Sequence, residues 1–185
     1  MNIALPKLLT VDEFLAWGLT QPKEAGKFEL LNGVVIVQQS QKWRHSHVKL
    51  EVTIALREAI ARAGVAYFAA PEGPSVRVNA HKCFEPDALV AALPVPDGDS
   101  LEIANPIIVV EVLSPSTAQI DTTTKLQGYF EVPSIQHYLI VDPDGRTITH
   151  HKRANGDVLE TRIVAEGALT LTPPGVEIDV KALFA

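Results

Sequence analysis

Residues 107–113 form a short apolar run, rich in β-branched side chains and interrupted by a single charged residue, Glu111. The run lies between Pro106 and a turn-forming Ser-Pro-Ser-Thr segment, a pattern that predicts a strand buried on both faces. Burying a carboxylate is costly unless the group is paired, protonated or bound to a cation. We therefore expect the chemistry of the protein to be organised around Glu111.

Three further segments show helical signals. Thr10 and Glu13 have the spacing of a capping box, which predicts a short helix that ends near Gly18. Residues 46–63 carry apolar side chains at helical spacing and predict a long amphipathic helix. After the turn at residues 114–117, we expect a third helix over about residues 118–131.

The remaining apolar segments predict strands, several of them joined by tight turns. Asn32-Gly33 and Asn155-Gly156 are typical of β-hairpin turns. Helices and strands in this order predict an α/β or α+β fold with a mixed sheet, in a single domain over residues 1–185. The predicted strands cover residues 28–31, 34–38, 65–69, 76–78, 87–91, 107–113, 136–141, 147–152, 158–164 and 176–178.

Composition narrows the class of protein. No apolar run approaches the roughly 20 residues of a membrane span, and the N-terminus lacks the pattern of a signal peptide. Cys83 is the only cysteine, which excludes an intrachain disulfide and fits a reducing compartment. We therefore expect a soluble cytoplasmic protein that does not bind membranes. The net charge of −6 disfavours a general nucleic-acid-binding protein, although an acidic metal site adds negative charge.

Two acidic residues occupy strand ends, Asp87 after Pro86 and Glu111 before Leu113. If their strands are neighbours, both carboxylates can bind one hard divalent cation, Mg²⁺ or Mn²⁺, through oxygen. Such an ion activates water and neutralises charge on a phosphate. Lys125, on the following helix, can orient that water or stabilise the transition state. This combination suits phosphodiester hydrolysis.

These residues resemble the PD-(D/E)XK nuclease signature and, more specifically, the Uma-type family, whose members are described as putative restriction endonucleases. The resemblance covers about residues 9–152, and its most specific part is Glu-Val-Leu-Ser-Pro-Ser-Thr followed by Asp121 and Lys125. The matching residues are Phe28-Glu29-Leu30, Asn32-Gly33-Val34, His47, Pro86-Asp87, residues 110–117, Asp121, Lys125, Tyr129 and residues 138–143.

The resemblance implies a restriction-endonuclease-like core, with a mixed sheet flanked by helices, and DNA as the substrate. It implies that Asp87 and Glu111 bind the metal, helped by the backbone carbonyl of Val112. The chain departs from the general signature at Leu113, which fills the position of the strand lysine. Lys125 is the natural replacement, and its place in the Uma-type pattern supports that role.

Two more residues are candidates for the site, and each candidate has a structural alternative. Glu29 is a third acid that could bind metal or position water, or lie exposed in its hairpin. His47 could bind phosphate or act as an acid–base group, or only cap its helix. Glu111 could instead pair with a structural cation, Asp87 could serve only its turn, and Lys125 could be solvated.

Other sequence features support weaker hypotheses. His45-x-His47 and His150-His151 suggest zinc, but no Cys or third His is placed to complete a tetrahedral set. Lys42, Trp43 and Arg44, in a polar loop predicted over residues 39–45, are residue types that stack on and grip nucleic acid.

The leading hypothesis is thus a Mg²⁺- or Mn²⁺-dependent DNA endonuclease. The alternatives are a catalytically inactive binding or assembly module of the same fold, or a hydrolase of another nucleic acid or phosphate ester. Apolar strands with free edges also suggest a homodimer.

Overall fold

A computed structural model describes residues 8–22, 26–38, 42–114, 121–156 and 158–185. Three α-helices lie in these residues: α1 (Val11–Gly18), α2 (Trp43–Ala63) and α3 (Leu126–Glu131), the last preceded by a π-helical turn, Asp121–Lys125. The strands are β1 (Lys27–Leu31), β2 (Val34–Gln38), β3 (Tyr67–Pro71), β4 (Val76–Asn79), β5 (Lys82–Phe84), β6 (Ala88–Ala92), β7 (Pro106–Val112), β8 (His137–Asp142), β9 (Thr147–Arg153), β10 (Leu159–Val164), β11 (Ala168–Leu171) and β12 (Val176–Asp179). A 3₁₀ turn, Lys181–Phe184, follows.

The largest sheet in the described residues has six strands in the order β10-β9-β8-β7-β6-β3. Strands β7 and β8 run parallel, and the other neighbours are antiparallel, so the sheet is mixed. All seven residues of β7 are buried, as the sequence predicts for residues 107–113 with a shift of one position. A parallel neighbour requires a crossover connection, and the π-helical turn and α3 lie in it.

Alternate side chains of β7 enter two different cores. Val110 and Val112 face α2 and pack with Val52 in one apolar cluster. Val109 faces the opposite side and packs with Tyr129 of α3 in a second cluster. Because strand side chains alternate between faces, Glu111 belongs to the side of Val109 and is directed toward α3.

A second sheet, of order β2-β1-β5-β4, lies near α3. The β1–β2 hairpin turns at Asn32 and Gly33, with φ of 51° and 80°, which confirms the predicted turn. At Gly128 of α3, an added Cβ would lie 2.6 Å from a ring atom of Phe84 in β5. Glycine thus allows α3 to approach this sheet closely.

Several predicted boundaries were wrong, most consequentially at the start of α2. The helix begins at Trp43, with Lys42 as N-cap residue, so part of the predicted loop is its first turn and Ser46 does not cap it. The helix ends as expected, with Gly64 in the left-handed conformation at φ 62°. Strands β5 and β11 are short and were not predicted. Residues 118–120 of the predicted third helix, and 115–117 of its capping turn, lie outside the described residues.

A chain of buried histidines connects the main sheet to the β11–β12 hairpin. Arg162 Nε donates to His150 Nδ1 at 3.1 Å, so His150 Nε2 carries a hydrogen and donates to His137 Nδ1 at 2.8 Å. His137 Nε2 in turn donates to the carbonyl of Pro173 at 2.8 Å. Burial lowers the pKa of His137 to about 4 and that of His150 to about 3.

This histidine chain predicts acid sensitivity of the fold. The pKa values of both histidines in the folded protein lie below the ordinary value of about 6.5. Their contribution to the free energy of unfolding is therefore complete above about pH 6.5 and is lost as the pH falls toward the folded pKa values. We expect the free energy of unfolding to fall by about 1 kcal/mol per pH unit for each histidine between pH 6.5 and 4.5. Denaturant unfolding of the wild type and of His137→Gln/His150→Gln measures this.

The double variant should show a clearly shallower pH dependence, because glutamine can keep hydrogen bonds but does not titrate. His81→Gln, at an exposed position, should keep the wild-type slope. Equal slopes for the wild type and the double variant would contradict the assignment.

Candidate active site

Glu111, at the end of β7, is 3% exposed and is held by two side chains from the crossover segment. Lys125 Nζ lies 2.9 Å from Glu111 Oε1, and the Tyr129 hydroxyl donates to the same oxygen at 2.6 Å. Lys125 and Tyr129 are four residues apart, about one helical turn, so both reach one carboxylate. Burial, together with the charge of Glu111, raises the pKa of Tyr129 well above its ordinary value, so the phenol keeps its donor hydrogen.

Glu29, on β1, approaches the same lysine from the second sheet. Its Oε1 lies 2.9 Å from Lys125 Nζ and accepts the backbone N–H of Glu85 at 3.0 Å. Lys125 is only 1% exposed, and its ammonium therefore lies between two buried carboxylates. This double pairing offsets the cost of removing a lysine charge from water.

Asp87 precedes β6 and forms hydrogen bonds with the backbone of Val110 and Val112, the residues on either side of Glu111. The Asp87 N–H donates to the Val110 carbonyl at 2.9 Å, and its Oδ2 accepts the Val112 N–H at 2.7 Å. Its Oδ1 lies 2.6 Å from Lys49 Nζ and 3.3 Å from Lys27 Nζ. Burial opposes the charged form, but these two ammonium groups and the Val112 N–H outweigh it and hold the pKa of Asp87 below its ordinary value.

Lys27 interacts electrostatically with both Asp87 and Glu111. Burial disfavours its charge, yet the carboxylates of Asp87 and Glu111 more than compensate, and its pKa is raised. Lys27 Nζ also lies 3.9 Å from carboxylate oxygens of both Glu72 and Glu85. Lys27 is therefore surrounded by carboxylates that belong to one cluster of charged residues.

In total, this cluster contains five carboxyl groups and three ammonium groups among the described residues, a formal excess of two negative charges. Burial raises the pKa of Glu85 to about 7, so protonation of this residue relieves part of the excess near neutral pH. The acidic members are Glu29, Glu72, Glu85, Asp87 and Glu111, and the basic members are Lys27, Lys49 and Lys125.

The structure brings together four of the five side chains singled out from the sequence and leaves out His47. The His47 ring stacks on Trp43, with ring centres 5.8 Å apart, and its Nε2 lies 3.4 Å from the Ala185 carbonyl. His45 occupies the inner position instead, where its Nε2 donates to the Val112 carbonyl. Helix α2 starts earlier than predicted, and this places His45 rather than His47 on the inner face. The side chain of Asp121 lies outside the described residues.

Sequence reasoning missed three residues of this site: His45, Lys49 and Lys27. For His45 and Lys49, a signal was present in the sequence. His45, Lys49 and Thr53 recur every four residues along α2, beside its apolar stripe, and all three are buried. A polar stripe next to an apolar one predicts a buried polar contact when the helix faces a charged strand end. Lys27 lies one residue before the predicted strand 28–31 and had no comparable signal.

No group of three or more His, Cys, Asp or Glu side chains within the described ranges is arranged to hold a metal ion. In particular, His150 and His151 are engaged in other hydrogen bonds: His150 with His137 and Arg162, and His151 with Thr161. Likewise, no helix among the described residues has the length and apolar character needed to cross a membrane.

The mixed α+β fold is that of a solved nuclease-like structure. It matches the "Crystal structure of a putative nuclease belonging to DUF820 from Anabaena variabilis ATCC 29413" with a TM-score of 0.73 at 19% identity, covering 95% of this chain and 97% of that chain. The family model Uma2, "Putative restriction endonuclease", matches residues 11–182. The chain belongs to the Uma2 family.

Two relatives from Synechocystis sp. (strain ATCC 27184 / PCC 6803 / Kazusa) match over nearly their whole length. "Uncharacterized protein sll1609" is 26% identical over 91% of this chain and 94% of the relative. "Uncharacterized protein slr1290" is 27% identical over 97% of this chain and 92% of the relative. The resemblance stated from the sequence is confirmed by the family match.

Lys125 should be a principal determinant of stability in this cluster. Lys125→Met leaves the two carboxylates of Glu29 and Glu111 buried without the ammonium between them. We expect the free energy of unfolding to fall by about 3–5 kcal/mol, as for other broken buried ion pairs. Denaturant unfolding at neutral pH measures the loss.

Lys82→Met is the matched control, because Lys82 also lies 2.7 Å from a carboxylate, but its partner Glu131 is 44% exposed rather than buried. We expect that substitution to cost less than about 1 kcal/mol. Similar losses for both variants would show that burial of the Lys125 pairings has no special energetic role.

Proposed function

We propose that this protein is a metal-dependent DNA endonuclease whose site is built on Asp87 and Glu111. The observation that carries the proposal is the placement of Asp87 against the backbone on both sides of Glu111, in a cluster of buried carboxylates and lysines. Membership in a family described as "Putative restriction endonuclease" supports phosphodiester cleavage. The solved structure of similar fold is likewise described as a putative nuclease.

The donor set fits a hard divalent cation, Mg²⁺ or Mn²⁺. Mg²⁺ in proteins usually binds through one or two carboxylates and keeps several waters, so it does not require three acidic side chains. The carboxylates of Asp87 and Glu111 and the carbonyl of Val112 would hold it. A bound ion would supply Lewis-acid activation of water and neutralise charge on the phosphate.

Lys125 is the protein group best suited to act on the attacking water. Its ammonium is held by Glu29 and Glu111, and these two pairings fix its direction. A lysine held in this way can donate a hydrogen bond to water or to the charge that develops on the phosphate. Leu113, at the strand position where the general signature has lysine, packs partly buried in the apolar cluster beside α3.

The remaining groups of the cluster would position Asp87, Glu111 and Lys125. The Tyr129 hydroxyl holds one oxygen of Glu111, and the Val112 N–H holds one oxygen of Asp87. Glu29 would thus act as a positioning residue for Lys125, with its own orientation set by the backbone N–H of Glu85. His47 keeps only the role of a phosphate contact at the edge of the site, because its ring packs on Trp43.

One observation favours the alternative of an inactive binding or assembly module. Lys49 and Lys27 both contact Asp87 Oδ1, so protein cations already compensate this carboxylate. In an active enzyme these ammonium groups would have to move aside or share Asp87 with a divalent ion. Cleavage assays with and without metal separate the two functions.

Asp87→Asn should abolish metal-dependent cleavage, because the amide lacks the charge that a divalent ion requires. With supercoiled plasmid DNA and added Mg²⁺ or Mn²⁺, we expect nicking by the wild type and a loss of at least about 100-fold in the variant. Chelation with EDTA should stop the wild-type reaction.

Asp99→Asn is the matched control, since Asp99 lies in an exposed loop, and its activity should equal that of the wild type. Glu111→Gln provides a second test should Asp87→Asn be poorly folded by circular dichroism. Equal residual cutting by the wild type and both site variants would identify a contaminant and refute the proposal. Cleavage of RNA or of a simple phosphodiester in place of DNA would redirect it to another substrate.

A further inference from the structure

A cleft lies at the start of α2, near the end of β7. It consists of two neighbouring cavities of about 310 and 380 Å³. Both are lined by Trp43, Arg44 and Asp144, and the smaller one reaches Leu113, immediately after the strand that carries Glu111. A group bound in this cleft would therefore lie near the end of the strand that carries Glu111.

Trp43 provides a flat apolar surface in the cleft. Its side chain is 80% exposed, the highest value for any large apolar residue within the described ranges. The ring is nevertheless ordered by stacking on His47, with an interplanar angle of 14°. An ordered, exposed indole is a suitable platform for a nucleobase, and such stacking contributes about 1–3 kcal/mol per base.

The same end of α2 is suited to an anion. The first backbone N–H groups of a helix have no partner within the helix and carry partial positive charge. No side chain among the described residues caps α2, and its first turn contains no acidic residue. Lys42 and Arg44 add positive charge there, and Arg44 pairs with Asp144 across an exposed contact.

A buried histidine gives independent evidence of a ligand. His45 is 5% exposed and lines the smaller cavity, and its Nε2 donates to the Val112 carbonyl. Its Nδ1 is therefore a hydrogen-bond acceptor, and it has no partner in the described part of the chain. Buried polar atoms are rarely left unsatisfied.

We propose that this cleft binds one unpaired nucleotide of a DNA strand, with its phosphate at the start of α2 and its base stacked on Trp43. The inference rests on the proposed nuclease function for its substrate class, but binding itself needs neither metal nor cleavage. A base inside a duplex has no free face to stack on Trp43. The protein should therefore prefer single-stranded or frayed DNA over fully paired DNA.

Binding without metal tests this proposal directly. Fluorescence anisotropy in EDTA would compare a labelled oligothymidine with a blunt duplex of the same length. We expect the wild type to prefer the single strand and Trp43→Ala to weaken single-strand binding by about tenfold, from the stacking energy. Duplex affinity should stay unchanged in Trp43→Ala, and the melting temperature should hardly change because Trp43 is exposed.

The phosphate contact has a matched pair of variants on one helix. Arg44 and Arg62 lie near opposite ends of α2, are 68% and 63% exposed, and each pairs with one exposed carboxylate. Arg44→Gln should weaken single-strand binding and reduce its salt dependence by about one phosphate contact, whereas Arg62→Gln should change neither.

The outcomes separate this inference from the proposed function. If Trp43→Ala and Arg44→Gln bind the single strand as the wild type does, the nucleotide site is refuted, even if Asp87→Asn still loses cleavage. A wild type that binds single strand and duplex equally would also refute it. Loss of binding in these variants supports the site, even if no cleavage of any DNA is detected.

Discussion

Glu29, Asp87 and Glu111 are held almost entirely out of water, and the free-energy cost of this burial constrains the structure around them. Each carboxylate is matched by a lysine ammonium or a backbone N–H at hydrogen-bonding distance. The matching is incomplete, since the acidic groups of the cluster exceed the ammonium groups by two. The excess comes from Glu72, which is about half exposed, and Glu85, whose pKa is raised to about 7. Three carboxylates and three ammonium groups gathered in and around one strand end, several with shifted pKa values, are typical of functional sites.

The fold assembles this cluster from segments that are far apart in sequence. Strand β7 lies in the middle of the main sheet. Its antiparallel neighbour β6 begins just after Asp87, next to the end of β7, and the crossover to the parallel strand β8 brings Lys125 to Glu111. The β1–β2 hairpin adds Glu29 from the second sheet. Helix α2 covers the opposite face and contributes Lys49. Both sheets, the crossover segment and α2 therefore all contribute charged groups to one cluster.

Local signals in the sequence were enough for the elements that carry this site. The Asn32-Gly33 turn and the apolar run around Glu111 each specify their conformation within a few residues, and both are found as predicted. The sequence suggested Lys125 as the cation near Glu111, but it could not show that the two groups meet, because spacing alone does not show which side of a sheet a crossover covers. His45 was missed because the helix was predicted to start at Ser46. Lys49 lies inside the predicted helix, but the polar stripe to which it belongs was not recognised.

The central claim is that this acidic cluster binds a divalent cation between two strand ends. Crystals soaked in Mn²⁺, with data collected at a wavelength where manganese scatters anomalously, test it most directly. We predict one anomalous peak in contact with the carboxylates of Asp87 and Glu111, and its absence in Glu111→Gln crystals soaked in the same way. If Lys27 and Lys49 still contact Asp87 in the soaked crystals and no peak appears at the cluster, the account is contradicted.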